Sequence, residues 1–273
     1  MEIEQLQGHA QHIRKLVLDQ IYHAQSGHPG GSLSAADLLT VLYFEEMKIN
    51  KENISSIHRD RFVLSKGHVS ALLYAVLAEK GFLSEAELLT FRRLNSRLQG
   101  HPNMHYVDGV DMSTGSLGQG ISAAVGMALA AKLDRMDHRI YTLLGDGECQ
   151  EGQVWEACMS AAHYHLDQLC VIIDHNHLQI DGEVELVMNV DSLENKFAGF
   201  NFHVITIDGH NITQIKDAFC EARRIKGKPT VIIANTIKGK GVSFMEHKAS
   251  WHGSAPNKEQ YVQAVQELGG FQV

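Results

Sequence analysis

The stretch IYTLLGDGE at residues 140–148 joins an apolar run to a Gly-Asp-Gly turn. A second apolar run, at residues 169–173, ends at Asp174-His175-Asn176. Such runs predict buried parallel strands, and the segment between them reads as a helix. Asp146 and Asn176 would then each follow the end of a strand. Because ligands of doubly wound sheets bind beyond the carboxyl ends of the strands, we expect both side chains at one site.

These side chains offer oxygen ligands of the kind that Mg²⁺ prefers. Asp146 supplies a carboxylate, Asn176 an amide oxygen, and Leu178, just past Asn176, a backbone carbonyl. Two diphosphate oxygens and one water would complete an octahedral shell. Gly145 and Gly147 let the backbone approach a phosphate closely. Asp146 alone would be an ordinary turn residue, but the spacing and the strand context together favour a magnesium-held diphosphate.

The bulk composition bounds the class of protein. The chain has 273 residues, 44% hydrophobic and 21% charged, with a formal net charge of −8. Few prolines and no Pro- or Ser-rich linker favour one domain over residues 1–273, with a loop-rich C-terminal tail from about 237. Without a block of Lys or Arg, neither nucleic acid nor a membrane is expected as a partner. No apolar stretch approaches the roughly 20 residues of a membrane span.

The termini and cysteines favour a cytoplasmic protein. The acidic N-terminus lacks the pattern of a secretory signal. The four cysteines contain no C-x-x-C pair, so buried, reduced thiols are expected. Cys149, near a predicted helix start, is a weak alternative candidate for a reactive thiolate.

Apolar periodicity predicts an α/β fold, a doubly wound, mainly parallel sheet with helices on both faces. Strands are predicted near 60–64, 139–144, 168–173, 203–207 and 230–235. Helices are predicted near 5–24, 34–47, 68–81, 84–93, 121–133, 149–164, 191–199 and 212–225, with irregular chain from about 94 to 120.

Four of the 17 histidines lie in glycine-flanked turns at predicted element ends: His28, His68, His101 and His252. Any one of them alone is more typical of a surface turn or a satisfied core position. Together they could converge on one cleft, where imidazoles donate to phosphate or sugar hydroxyls and move protons. A zinc cluster is the competing interpretation, disfavoured by the absence of a C-x-x-C spacing.

In five motifs the sequence resembles the transketolase family, in order from about residue 10 to about 256. They are Gly145-Asp146-Gly147 with Asn176, residues 26–30 (SGHPG), 65–68 (SKGH), 114–120 (TGSLGQG) and 151–157 (EGQVWEA). The resemblance implies the thiamine diphosphate-binding fold. Transketolases are normally longer, with three domains, and this chain resembles only the first. It therefore looks like the N-terminal, diphosphate-binding subunit of a split transketolase.

The resemblance also implies roles for individual residues. Asp146, Asn176 and the Leu178 carbonyl would bind Mg²⁺, or Ca²⁺ or Mn²⁺ in its place. The cofactor itself would be contacted by His68, Gly115, Leu117, Gly147, Glu148, Asn176 and His252, with the backbone of Gly115 and Leu117 at the aminopyrimidine. His28, His101 and His252 would line the substrate channel as catalytic residues. Glu151 and Glu156 resemble an acidic pair that links two active sites, although exposed helix acids are an equally good interpretation.

The activity implied by the resemblance is transfer of a two-carbon ketol unit from a ketose phosphate to an aldose, with thiamine diphosphate and magnesium. The pyrimidine-binding domain, its activating glutamate and the sugar-phosphate arginines would lie on a C-terminal partner subunit. We expect a dimer of heterodimers, which is a heterotetramer. The donor could belong to the pentose phosphate pathway or be an unusual phosphorylated or sulfonated ketose.

Other functions stay open on the sequence alone. They include a subunit of another thiamine diphosphate enzyme, either 1-deoxyxylulose-phosphate synthase-like or 2-oxoacid dehydrogenase-like. The histidine set argues against both, because sugar hydroxyls need those donors. A non-catalytic module that retains the fold and a magnesium-dependent phosphohydrolase are the alternatives from other classes.

Overall fold

A five-stranded parallel sheet forms the centre of the computed structural model, which describes residues 1–270. The strands follow the order β1-β2-β3-β7-β6, and every neighbouring pair is parallel. Their bounds are β1 Arg61–Leu64, β2 Ile140–Gly145, β3 Leu169–His175, β6 His203–Asp208 and β7 Thr230–Asn235. A separate antiparallel hairpin pairs β4 Leu178–Gln179 with β5 Gly182–Glu183. The predicted α/β class is confirmed.

Helices connect and cover the strands. Their bounds are α1 Ile3–Ala24, α2 Pro29–Ser34, α3 Ala36–Val41, α4 Ser70–Glu79, α5 Glu85–Leu88, α6 Gln119–Leu133, α7 Gly152–His163, α8 Val184–Met188, α9 Leu193–Gly199, α10 Ile212–Arg224 and α11 Lys258–Glu267. A π-helical turn, Leu42–Glu46, continues α3.

The sheet has a hydrophobic core on each face. On β2, Tyr141 and Leu143 point into the core that contains α1, α3, α4 and α10. Ile140 and Leu144 point into the core that contains α6, α7 and α9. Because both faces are buried, the strand carries apolar residues at nearly every position rather than at alternate ones. No helix among residues 1–270 is long and apolar enough to span a membrane.

The structure corrects the prediction of one helix over 34–47. The helical chain begins at Pro29, since proline suits the first position of a helix, and it breaks between α2 and α3. Ser34, the first residue of the predicted helix, is buried and donates its hydroxyl to Asp174 Oδ2 at 2.6 Å. The helix predicted over 84–93 ends at Leu88, and turns follow it.

Three elements were not predicted: the β4–β5 hairpin, α8 and α11. The hairpin strands have two residues each, too short for a periodic signal. Helix α11 lies in the tail predicted to be loop-rich from about 237 and packs against α1, where Tyr261 stacks on Tyr22 at 4.1 Å between ring centroids. The chain between 237 and 257 contains one short 3-10 helix, Ala249–Trp251, among turns and loops.

Candidate active site

The carboxyl ends of β1, β2 and β3 open onto a cavity of about 360 Å³. Among the predicted site residues, eleven line it: His28, His68, Gly115, Leu117, Asp146, Gly147, Glu148, Glu151, Asn176, Leu178 and His252. A larger cleft of about 490 Å³ lies near the amino ends of the strands, where residues such as Asp60, Arg139 and Gln168 precede them. The predicted site residues therefore lie mostly at the smaller cavity, at the carboxyl ends of the strands, where ligands of doubly wound sheets bind.

Asp146, Asn176 and Leu178 share one side of this cavity. The Asp146 carboxylate accepts backbone N–H bonds from Gly147 at 2.7 Å and from His177 at 2.5 Å. Burial, and next the nearby Asp174 carboxylate, raise the pKa of Asp146 above its ordinary value. A divalent cation would offset both effects and hold the carboxylate ionised. The donor set of carboxylate, amide and carbonyl oxygens fits Mg²⁺ bound with a diphosphate.

Asp174, directly beneath this side of the cavity on β3, is fully buried and heavily hydrogen-bonded. Its Oδ2 accepts from Lys66 Nζ at 2.5 Å and Ser34 Oγ at 2.6 Å, and its Oδ1 accepts from Thr236. Burial, the largest single effect, would raise the pKa of Asp174, but the charge of the Lys66 ammonium and the hydrogen bonds from Lys66, Ser34 and Thr236 together outweigh it, and the pKa is lowered. Asn176 Nδ2 donates to the same carboxylate at 3.1 Å, and Asn176 Oδ1 accepts the Leu178 N–H at 3.2 Å and keeps a second lone pair for a cation.

Three histidines from distant parts of the chain meet in the cavity. The ring centroids of His28, His68 and His252 lie 5.1 to 5.4 Å from one another. Burial lowers the pKa of His28 to about 4, with help from Arg92, and that of His252 to about 3, with help from Lys238. Each ring is therefore neutral near pH 7 and offers one N–H donor and one nitrogen acceptor.

Lys238 reaches the cavity from the loop after β7. Its Nζ donates to the Leu178 carbonyl at 2.9 Å and lies 3.0 Å from His252 Nδ1. Burial lowers the pKa of Lys238 to about 8. The loop is fixed by a backbone bond from Gly239 N–H to the Gly30 carbonyl at 2.9 Å. A buried cation thus faces the side of the cavity where a diphosphate would carry its charge.

Glu148 binds three neighbouring segments together. Its Oε1 accepts from Ser65 Oγ at 2.5 Å and Gly118 N–H at 2.9 Å, and its Oε2 accepts from Gly145 N–H at 3.1 Å. Both oxygens are therefore engaged by the protein itself. Glu148 holds the loop before α6 against the ends of β1 and β2, and so positions Gly115 and Leu117 at the cavity.

Comparison with known proteins agrees with this geometry. The sequence profile described as "Transketolase, thiamine diphosphate binding domain" matches residues 6–273. The chain belongs to the transketolase family. It is 48% identical over 263 residues to the 6-deoxy-6-sulfo-D-fructose transketolase subunit of Clostridium sp. (strain MSTE9), covering 96% of each chain. It is 42% identical over 268 residues to a subunit of the apulose-4-phosphate transketolase of Phocaeicola vulgatus, covering 98% of this chain and 95% of the relative.

Longer transketolases match over part of their length. Human transketolase is 42% identical over 268 residues, which are 98% of this chain and 42% of the human protein. The crystal structure of Campylobacter jejuni transketolase superposes with a TM-score of 0.93 at 39% identity, covering 99% of this chain and 43% of that one. The chain therefore spans less than half the length of these two transketolases.

Two residues predicted from the transketolase resemblance do not line the cavity. His101 lies behind Gly115, where a Cβ would be 3.1 Å from the His101 ring, and its own side chain is largely exposed. Glu156 is exposed on α7, whereas Glu151 is exposed at the cavity rim. The predicted link between Glu151 and Glu156 would need a partner surface to cover both carboxylates.

Lys66, Asp174 and Lys238 are site residues that the sequence analysis missed. Lys66 stands inside the motif SKGH and Asp174 directly before His175-Asn176, so each had a signal. Lys238 lies in the tail predicted to be loop-rich from about 237, and nothing local marks it as buried. Cys149 is fully buried, and burial together with Glu148 and Asp146 raises the pKa of its thiol well above the ordinary value. It is therefore not a reactive thiolate. All four cysteines are free thiols; three are buried as predicted, whereas Cys220 is partly exposed.

Proposed function

We propose that this chain binds thiamine diphosphate through a divalent cation and serves as the cofactor-binding subunit of a two-chain transketolase. One observation carries the proposal: an oxygen donor set, a buried lysine and three neutral histidines converge on a single cavity at the carboxyl edge of the sheet. Oxygen donors suit Mg²⁺, and imidazole N–H groups suit phosphate and sugar hydroxyls.

Specific residues would hold the cofactor. Asp146, Asn176 and the Leu178 carbonyl would bind Mg²⁺, for which Ca²⁺ or Mn²⁺ could substitute. Cation binding there would draw the Leu178 carbonyl away from Lys238 and free the ammonium for the diphosphate. The remaining cofactor contacts are assigned to His68, Gly115, Leu117, Gly147, Glu148 and His252, with Glu148 acting by positioning the loop that carries Gly115 and Leu117.

The histidines would act on the substrate. When bound, thiamine diphosphate supplies the carbon nucleophile that cleaves and forms carbon–carbon bonds. His28 and His252, neutral at pH 7, can donate to a developing oxyanion or accept a proton from a substrate hydroxyl. His101, at the outer side of Gly115, would contact substrate from the channel entrance.

The open side of the cavity is suited to a partner subunit. Ile180 lines the cavity yet is 68% exposed, and on the adjoining α8 Leu186 is 81% and Met188 62% exposed. Exposed apolar residues grouped at the rim of a site mark an interaction surface. Two relatives of nearly the same length carry the word subunit in their names. We assign this surface, with Glu151 and Glu156, to a C-terminal transketolase subunit.

The assembly is proposed to be a dimer of heterodimers in the cytoplasm. The four free thiols, three of them buried, suit a reducing compartment.

The donor is proposed to be a ketose with an anionic end. The names of the two relatives give a sulfonated donor and apulose 4-phosphate, so both classes belong in the substrate panel.

Reconstitution tests the proposal. The purified chain is mixed with the product of a neighbouring gene for a C-terminal transketolase subunit, and ketol transfer is followed with phosphorylated and sulfonated ketoses. We expect activity only in the mixture, and only with thiamine diphosphate and Mg²⁺. Asp146→Asn in the same mixture should raise the cofactor concentration needed for half-maximal rate by about 10–100-fold.

Turnover by the chain alone would contradict the two-chain proposal. A cofactor requirement unchanged by Asp146→Asn would place the cation elsewhere. Cleavage of 2-oxoacids in place of ketoses by the mixture would favour the dehydrogenase-like alternative. Light scattering of the mixture reports the expected heterotetramer.

A further inference from the structure

A second group of potential ligands lies beside the cofactor cavity without lining it. His175 is the last residue of β3, His177 follows Asn176, and Asp191 lies between α8 and α9. One ligand atom from each of the three lies within 4.8 Å of the others. The two imidazole rings are 3.9 Å apart between centroids, and His175 Nε2 is 3.5 Å from Asp191 Oδ1.

Two buried polar atoms in this group have no hydrogen-bond partner among residues 1–270. They are His175 Nδ1 and Asp191 Oδ1, and the His175 side chain belongs to a residue only 5% exposed. An unsatisfied buried polar group destabilises the folded state, because it has lost its hydrogen bonds to water without replacement. Native proteins rarely keep such groups without a role, and an ion or an ordered water is a usual explanation.

A second cluster in the same molecule provides a contrast. His12, Glu79 and Glu85 also bring three potential ligands together. There, His12 Nδ1 and His9 Nδ1 each lie 2.6 Å from a different oxygen of Glu79. That cluster is satisfied by its own hydrogen bonds, whereas the group at His175 is not.

We propose that His175, His177 and Asp191 bind one divalent transition-metal ion of the Zn²⁺ type. Two imidazoles and one carboxylate, with water completing the shell, suit Zn²⁺, Co²⁺ or Ni²⁺. Mg²⁺ strongly prefers oxygen ligands, so this site and the Asp146 site would select different ions. The inference does not depend on the proposed transketolase activity.

The ion would connect two segments of the chain. It would hold the end of β3 to the segment between α8 and α9. The His177 N–H donates to Asp146 Oδ2. The ion would therefore fix the turn after β3 next to the proposed cofactor ligands Asp146 and Asn176.

Metal titration of the purified full chain tests this site. The protein is stripped with a chelator and held in saturating Mg²⁺ and thiamine diphosphate. Co²⁺ is then added as a spectroscopic probe, and Zn²⁺ as its competitor. We expect one equivalent of Co²⁺ with absorption bands of mixed nitrogen and oxygen ligation, displaced by one equivalent of Zn²⁺.

Variants separate this site from others. His177→Asn removes an exposed imidazole while tolerating the left-handed backbone at φ 63°, and Asp191→Asn removes the carboxylate charge. Each should weaken Zn²⁺ binding by at least the roughly 10–100-fold that even outer-shell changes cost. His105→Asn, at an exposed histidine elsewhere, should leave it unchanged.

Any of three results would overturn the inference. They are the absence of saturable Zn²⁺ binding, equal Zn²⁺ affinity in the wild type and both ligand variants, and a Zn²⁺ affinity that falls as the concentrations of Mg²⁺ and thiamine diphosphate are raised. Thermal unfolding without Zn²⁺ serves as the control for folding, and His177→Asn should match the wild type there.

Discussion

At the scale of single residues, Lys238 shows how a loop residue becomes part of a site. Its ammonium is buried, lies between Leu178 and His252, and has a pKa lowered to about 8. Burying a cation that has no carboxylate partner raises the free energy of the folded state, and an anionic ligand beside it would offset that penalty. The buried ammonium of Lys238 is therefore suited to binding the negative charge of a diphosphate.

Lys238→Met is expected to weaken thiamine diphosphate binding to the assembled complex by about 10–100-fold, since a charge-assisted hydrogen bond contributes roughly 1.5–3 kcal/mol. Calorimetric titration of the cofactor in the presence of Mg²⁺ measures this binding affinity. Lys240→Met is the matched control, because Lys240 lies on the same loop and is paired with Glu246 at 3.8 Å. Equal affinities for the two variants would remove Lys238 from the cofactor site.

The histidines in and near the cavity should divide into two functional classes. His28→Ala and His101→Ala are expected to lower turnover about 10²–10³-fold with little change in cofactor affinity, because each removes a donor to substrate. His68→Ala is expected to raise the cofactor requirement instead. Steady-state rates and cofactor titrations on the reconstituted complex distinguish the classes. A variant of His28 that loses the cofactor, beside a variant of His68 that keeps it, would reverse the division.

At the scale of elements, the start of α6 is held very close to the end of β1. A Cβ at Gly120 would lie 2.6 Å from both Cα and Oγ of Ser65. Ser65 and Gly118 both donate to Glu148, so the contact also fixes the position of the loop that carries Gly115 and Leu117 relative to the cavity. Only glycine allows this approach.

Gly120→Ala is therefore expected to destabilise the chain by about 1–3 kcal/mol, because the helix must move away from the strand. Gly126→Ala, in the exposed middle of the same helix with no atom within 4 Å of its Cβ position, should stabilise by about 0.5–1 kcal/mol. Urea unfolding of the two variants gives both values. Similar values for both substitutions would show that the close contact is not required.

At the scale of the whole molecule, the buried histidines link stability to pH. The folded pKa of His28 is lowered to about 4 from an ordinary value of 6.5, so between these values the unfolded chain binds a proton that the folded chain does not. Stability contributed by the neutral ring is complete above about pH 6.5 and is lost as the pH falls toward 4. Asp174, whose pKa is also lowered, loses its contribution only at more acidic pH.

The melting temperature is thus expected to depend less on pH between 6.5 and 4.5 in His28→Gln than in the wild type. The comparison cancels groups common to both proteins, including Asp146, Glu148 and Asp19, whose raised pKa values act in the opposite direction. Thermal unfolding monitored by circular dichroism across this window provides the measurement. Superimposable pH profiles would mean that His28 is protonated equally in both states.

Local sequence determined much of this protein. Apolar runs marked all five strands of the sheet, and turn residues at the ends of two of them marked Asp146 and Asn176. Glycine-flanked motifs marked His28, His68 and His252. These signals are local, because a strand's run of apolar residues and a turn's geometry are set by residues adjacent in sequence.

Only the tertiary structure decided which residues meet. Lys66, Asp174 and Thr236 lie far apart in the chain and are brought together by the β1-β2-β3-β7 order of the sheet. Lys238 becomes buried because its loop folds back onto Gly30, and His101 stands behind Gly115 rather than at the cavity. The sequence likewise gives no sign that one buried polar atom each of His175 and Asp191 lacks a hydrogen-bond partner among residues 1–270. Burial and pairing between distant segments arise from packing of the whole chain, which local periodicity does not encode.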